Sequence, residues 1–151
     1  MVPKKASINL ARPKNQTVEN TISQADSYMN REANDVDKLT KTDAEIVCKK
    51  NGVLIFGNCR FANRNKTGNV YWVNPPINYL AKDWFLLLND HRKKQLHVFK
   101  VPANSISASK VKLRNDKPHQ IDLQIYCDDK SFEDSRSKIE FANWLIKTIE
   151  Y

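Results

Sequence analysis

Five consecutive apolar residues, Trp84-Phe85-Leu86-Leu87-Leu88, constrain this chain more than any other stretch. A strand turns successive side chains to opposite faces, so a run without a polar member needs cover on both sides. The middle of a sheet held between two layers supplies that cover. The polar run Asn89-Asp90-His91-Arg92-Lys93-Lys94 follows, then a second strand-like segment, Gln95–Val101, stopped by Pro102. Val70–Val73 reads as another strand, ended by Pro75-Pro76. Ile121, Leu123, Ile125 and Cys127 alternate with Asp122, Gln124, Tyr126 and Asp128, the pattern of a half-buried strand.

Two helices are predicted around these strands. Val18, Ile22, Ala25, Met29 and Ala33 form one stripe on a helix over residues 17–34. Ser131 and Asp134 have the spacing of a capping box that would open a last helix over residues 132–150, with a stripe of Ile139, Ala142, Leu145, Ile146 and Ile149. The expected fold class is therefore α/β: a central mixed β-sheet of five or six strands flanked by an N-terminal and a C-terminal helix. A chain of 151 residues suits a single core, here residues 16–151, behind a polar, proline-marked arm over residues 1–15.

Segments 45–50 and 53–60 flank Asn51-Gly52, a strong short-range hairpin signal because a type I′ turn needs positive φ at both central residues. A two-residue turn fixes the pairing. Asp43 would face Arg60 and Glu45 would face Asn58, all four on one face, with Cys48 and Cys59 on the other. Such a cluster admits two readings. Either the strand ends carry ordinary solvent-facing pairs worth well under about 1 kcal/mol each, or the carboxylates hold a hard divalent cation such as Mg²⁺ beside a cationic Arg60.

The charge is +8 overall, and its placement along the chain is uneven. Residues 51–114 carry eleven Lys/Arg against Asp83 and Asp90 alone, whereas residues 115–151 carry five basic and eight acidic residues. A basic centre beside an acidic end predicts a polarised molecule that steers a polyanion, nucleic acid above all, onto one region. The candidate phosphate contacts are Arg60, Arg64, Lys66, Arg92, Lys93, Lys94, Lys110, Lys112 and Arg114, most of them in loops. No apolar run reaches the length of a membrane span, so no membrane partner is expected. Three cysteines without metal-ligand spacing fit reduced thiols in the cytoplasm.

The stretch Thr42-Asp43-Ala44-Glu45 through Asn58-Cys59-Arg60 resembles the core of the PD-(D/E)XK nucleases, the restriction-endonuclease-like superfamily. Asp83-Trp84-Phe85-Leu86-Leu87-Leu88 and Leu96-His97-Val98-Phe99-Lys100-Val101-Pro102 are similar to later strands of the same superfamily. The resemblance implies a nuclease-like fold and a nucleic-acid partner, DNA rather than RNA. If the chain is an enzyme, it further implies Mg²⁺-dependent endonuclease hydrolysis of phosphodiesters. Asp43, Glu45 and Glu19 would hold the metal, Asn58 and Arg60 would complete the catalytic set, and a homodimer would bring one site to each strand. The chain departs from the motif at two positions, because Asn58 stands where an acid is expected and Arg60 where a lysine is. An arginine stays protonated and cannot act as a general base. Two outcomes remain open: an endonuclease, or a non-enzymatic interaction or regulatory domain, phage- or defence-linked, that docks a protein with its acidic end.

The histidines at 91, 97 and 119 have no partner at ligand spacing and are expected to be solvated or satisfied. Tyr71, Trp72, Trp84, Tyr126 and Trp144 fall in strands or on the helix stripe, which predicts core packing rather than base stacking. The sequence carries no phosphate-cradling glycine motif and no nucleophile elbow.

Overall fold

The computed structural model describes residues 38–151; the expected arm, the helix over residues 17–34 and Glu19 lie outside them. In chain order the elements are α1 (Lys41–Lys50), β1 (Asn58–Asn63), β2 (Val70–Val73), β3 (Trp84–Asp90), β4 (Gln95–Val101), β5 (Leu123–Tyr126) and β6 (Leu145–Glu150). Short 3₁₀ turns occupy Ile77–Ala81, Ala108–Lys110 and Phe141–Trp144.

Strand β3 is buried along its whole length, as its apolar run requires. It pairs parallel with β1 and antiparallel with β4, and β6 pairs antiparallel with β4, giving a mixed four-stranded sheet in the order β1-β3-β4-β6. One face of the sheet, with Cys59, Phe85, Leu87, Leu96, Val98 and Ile149, packs on Ala44 and Cys48 of α1. The other face, with Trp84, Leu86, Leu88, Phe99 and Val101, packs on Tyr71 and Val73 of β2 and on Leu123 and Ile125 of β5. Each fully buried Leu, Val, Ile or Phe here contributes roughly 1.5–3 kcal/mol of transfer free energy. Strands β2 and β5 form their own antiparallel ribbon, so the six strands divide four and two instead of forming one sheet. No helix among the described residues is long and apolar enough to cross a membrane.

The expected hairpin at Asn51-Gly52 is not formed. Residues 41–50 are helical because both ends of the segment are strongly capped. Thr40 accepts the Asp43 N–H while the Asp43 carboxylate accepts the Thr40 N–H, a reciprocal capping box. At the other end Gly52, at φ 77°, takes the left-handed position. Its N–H donates to Lys49 O at 3.1 Å and the Val53 N–H donates to Cys48 O at 2.9 Å, which is a Schellman closure. Asn51-Gly52 thus ends a helix. Lys147 Nζ, donating to Asn51 O at 2.9 Å, adds a cation at the helix's negative pole.

The expected C-terminal helix over residues 132–150 is also absent. Leu145–Glu150 is the edge strand β6, which buries Ile149 and leaves Ile146 exposed. Asp134 caps no helix. It is fully buried, and its carboxylate accepts from the backbone N–H of Gln124 at 2.7 Å, from the N–H of Ser137 at 2.9 Å and from Ser137 Oγ at 2.7 Å. Pairing with β4 engages one side of the β6 backbone and makes β6 the outer strand of the central sheet.

Candidate functional site

With α1 in place of a strand, the four residues of the expected acidic cluster part company. Asp43 is exposed in the first turn of α1 and engaged with Thr40. Glu45, two residues on, lies roughly 200° round the helix from it, since each residue turns about 100°. Asn58 and Arg60 sit on β1, where the Arg60 guanidinium lies 5.6 Å from the centre of the Tyr79 ring. The described members of the expected Mg²⁺ set therefore do not face a common point. No group of three His, Cys, Asp or Glu gathers as a metal site among the described residues. Cys48 and Cys59 are buried as expected, against α1's face of the sheet, and burial pushes their thiols up to about 11 and about 12.

The basic residues are redistributed as well. Arg64, expected at the surface as a phosphate contact, is 6% exposed and holds three chain segments together. Its Nη1 meets Asp90 Oδ2 at 2.8 Å and Asp128 Oδ1 at 3.0 Å, and its Nη2 meets Asp128 Oδ2 at 2.9 Å and Asn69 Oδ1 at 3.0 Å. The hydrogen bonds from Arg64 hold the Asp128 carboxyl below its usual range. Arg114 forms a two-pronged pair with Asp116, through Nε at 3.0 Å and Nη2 at 2.7 Å. Arg136 Nε lies 3.6 Å from Asp122. The acidic end of the sequence is thus partly neutralised by cations folded onto it, at Asp128, Asp116 and Asp122.

What the fold does gather lies on the outer face of the β2–β5 ribbon. Trp72 pairs with Gln124 and Val70 with Tyr126, while Tyr71, Val73, Leu123 and Ile125 point inward and are buried. Alternation therefore turns Trp72, Gln124 and Tyr126 outward. Trp72 is 57% exposed and Tyr126 37%. The expectation that both pack in the core is corrected; of the tyrosine–tryptophan pair 71–72, Tyr71 is the buried member. The signal was present in β5, whose polar members Asp122 and Gln124 mark the outward face that Tyr126 shares.

The Gln124 side-chain amide lies 3.3 Å from Trp72 Nε1 and 2.8 Å from Arg136 Nη2, and with its oxygen turned to these two donors it accepts from both. An open groove of about 390 Å³ runs beside the ring, lined otherwise by Asn74, Arg114, Asn115, Asp116, Asp122 and Gln124.

Exposed cations flank this face at both ends. At the Val70/Tyr126 end, the turn carrying Arg92, Lys93 and Lys94 meets the loop carrying Lys66: Arg92 Nη2 donates to Lys66 O at 3.3 Å, and Lys93 Nζ lies 3.5 Å from Asp128. At the other end the Leu113–Ile121 bridge adds a third short strand, with Asp122 N donating to Lys112 O at 2.7 Å and Arg114 N to Gln120 O at 2.9 Å. Leu113 is 37% exposed there, Lys112 is exposed opposite Asp122, and Arg114 lines the groove beside Asp122. Lys110, in the preceding 3₁₀ turn, is exposed nearby.

Among the histidines, His97 is buried with Nδ1 2.9 Å from Thr148 Oγ1, and burial lowers its pKa. No family model, no curated protein and no solved structure matches the chain.

Proposed function

We propose that this protein binds nucleic acid, DNA in the first instance, across the outer face of the β2–β5 ribbon. One observation carries the reading. Two groups of exposed cations, Lys66/Arg92/Lys93 and Lys110/Lys112, stand at opposite ends of one ribbon whose outward side chains include two exposed aromatics. Cations spaced along a face attract a phosphate backbone, and Arg64 and Arg114 offset part of the charge of the neighbouring carboxylates Asp128 and Asp116. The restriction-endonuclease-like fold belongs to the same proposal. A mixed sheet covered on both faces, with the β3–β4 hairpin at its centre, supports it. The reading is one of binding, with no cleavage step assigned to Asp43, Glu45, Asn58 or Arg60. Three buried free thiols suit a reducing, cytoplasmic setting.

The test is charge reversal at both ends. Binding of a short DNA is expected to weaken with added salt, with a slope of log K against log salt of about −2 to −4 for three to five phosphate contacts. The double variant Lys93→Glu, Lys112→Glu should lower the affinity about ten-fold or more and flatten that slope by about two. Unchanged affinity in the double variant, or binding indifferent to salt, would overturn the proposal.

A further inference from the structure

We infer that the ribbon takes its nucleic acid as a single strand, with a base stacked on Trp72 and its neighbour over Tyr126. This deepens the nucleic-acid reading and rests on it. The indole is exposed, and with the Gln124 amide oxygen turned toward it, Nε1 donates across 3.3 Å, a contact that favours one orientation of the ring before any ligand arrives. A ring oriented in advance loses little side-chain freedom on binding, which is what a stacking platform requires.

The chemistry around the ring separates bases from phosphates. Within the groove the ions pair among themselves, Arg114 with Asp116, and Arg136 with Asp122 nearby. Beside the indole stand the neutral amide of Asn115 and that of Asn74, which donates to Ile121 O at 2.9 Å and keeps a second N–H, groups that can meet the polar edge of a base. The cations suited to phosphates stand outside the groove, toward the two ends of the ribbon. An indole face with amide neighbours between two cationic ends fits an extended strand whose backbone runs along the ribbon and whose bases turn onto it.

The spacing agrees. Tyr126 is the diagonal neighbour of Trp72 across the β2–β5 pair, at about 7–8 Å between backbones, so two successive unstacked bases can each cover a ring. Duplex bases stack on one another and offer no free face to either ring.

The experiment compares single-stranded DNA, single-stranded RNA and duplex DNA of equal length, titrated against the wild-type chain and against Trp72→Ala and Trp72→Phe. Trp72→Ala is expected to weaken single-strand binding about 5- to 150-fold and the weaker duplex binding far less. Trp72→Phe should retain most of the affinity, because it keeps a ring. Similar losses on the DNA and RNA strands would mean that stacking, and not the sugar, is read; a loss confined to one strand type would assign the site to that strand. Equal effects of Trp72→Ala on single strand and duplex, or none on either, would overturn the inference and leave the nucleic-acid reading intact. So would wild-type protein that binds duplex alone. A salt-independent preference for a neutral oligosaccharide would overturn it in favour of a sugar ring on Trp72. Wild-type protein that binds none of the nucleic acids would fell both readings together.

Discussion

Replacing Arg64 with methionine is expected to cost about 3–5 kcal/mol of folding stability, the largest effect of any single side chain in the ion-paired clusters. Methionine keeps much of the apolar stem but removes the guanidinium that meets Asp90 at 2.8 Å. Asp90 is 1% exposed and would keep only the backbone N–H groups of Arg92, at 3.1 Å, and Lys93, at 3.2 Å. A buried charge stripped of its counter-ion is what makes such a change severe. The same loss frees Asp128 and Asn69, so the end of β1, the turn after β3 and the end of β5 come apart together. Denaturant or thermal unfolding measures it, with a fall in melting temperature of roughly 10–20 °C. Arg64→Lys should not restore the loss, since a single ammonium cannot grip Asp128 with two prongs and also reach Asp90. Adding Asp90→Asn to Arg64→Met should recover much of it by removing the stranded charge. A cost under about 1 kcal/mol would show that Arg64 behaves as a surface ion pair.

The second large effect is expected at Asp134. Truncation to alanine leaves the Gln124 N–H of β5 and both donors of Ser137 without their acceptor, a loss of about 3 kcal/mol at roughly 1 kcal/mol for each of these part-buried donors. The magnitude discriminates between architectures. Were residues 132–150 a helix opened by Ser131 and Asp134, losing Asp134 would remove a cap contact worth about 1 kcal/mol. Equilibrium unfolding of Asp134→Ala therefore reports which structure the C-terminal segment adopts.

Asp134 also shows why part of the fold was legible in the sequence and part was not. Strand β4 ends at Pro102 and β2 just before Pro75-Pro76, and β3 is fixed by an apolar run that only a doubly covered strand accommodates. These signals concern burial, which sums over many contacts. The misread segments turned on local signals that two structures can use. Asn-Gly supplies positive φ to a hairpin turn or to a helix end, and here the reciprocal cap between Thr40 and Asp43 decides for the helix. The same three-residue spacing at Ser131 and Asp134 opens no helix, because β4 offers Ile149 and its neighbours a paired edge and a core to fill. A cap worth about 1 kcal/mol does not outweigh the burial of several apolar side chains.

The site was less legible still, because its residues meet only through pairing between distant segments. Of the candidate phosphate contacts in residues 51–114, the 92–94 turn and Lys112 are exposed, but Arg64 and Arg114 carry the same charge and are engaged with Asp90, Asp128 and Asp116. Sequence blocks of opposite sign do not stay apart when strands from each are laid side by side. Trp72 and Tyr126 needed the register of β2 against β5 before their common outward direction could be seen.

The location of the binding face is the central claim, and mapping backbone amide chemical shifts during titration with a short single-stranded DNA tests it most directly. The account predicts that the perturbed amides gather in β2, β5, the 91–94 turn and residues 112–116, with the Trp72 indole N–H among the most shifted. Perturbations centred on α1 and the start of β1, around Asp43 and Asn58, would contradict it, as would a spectrum that the oligonucleotide leaves unchanged.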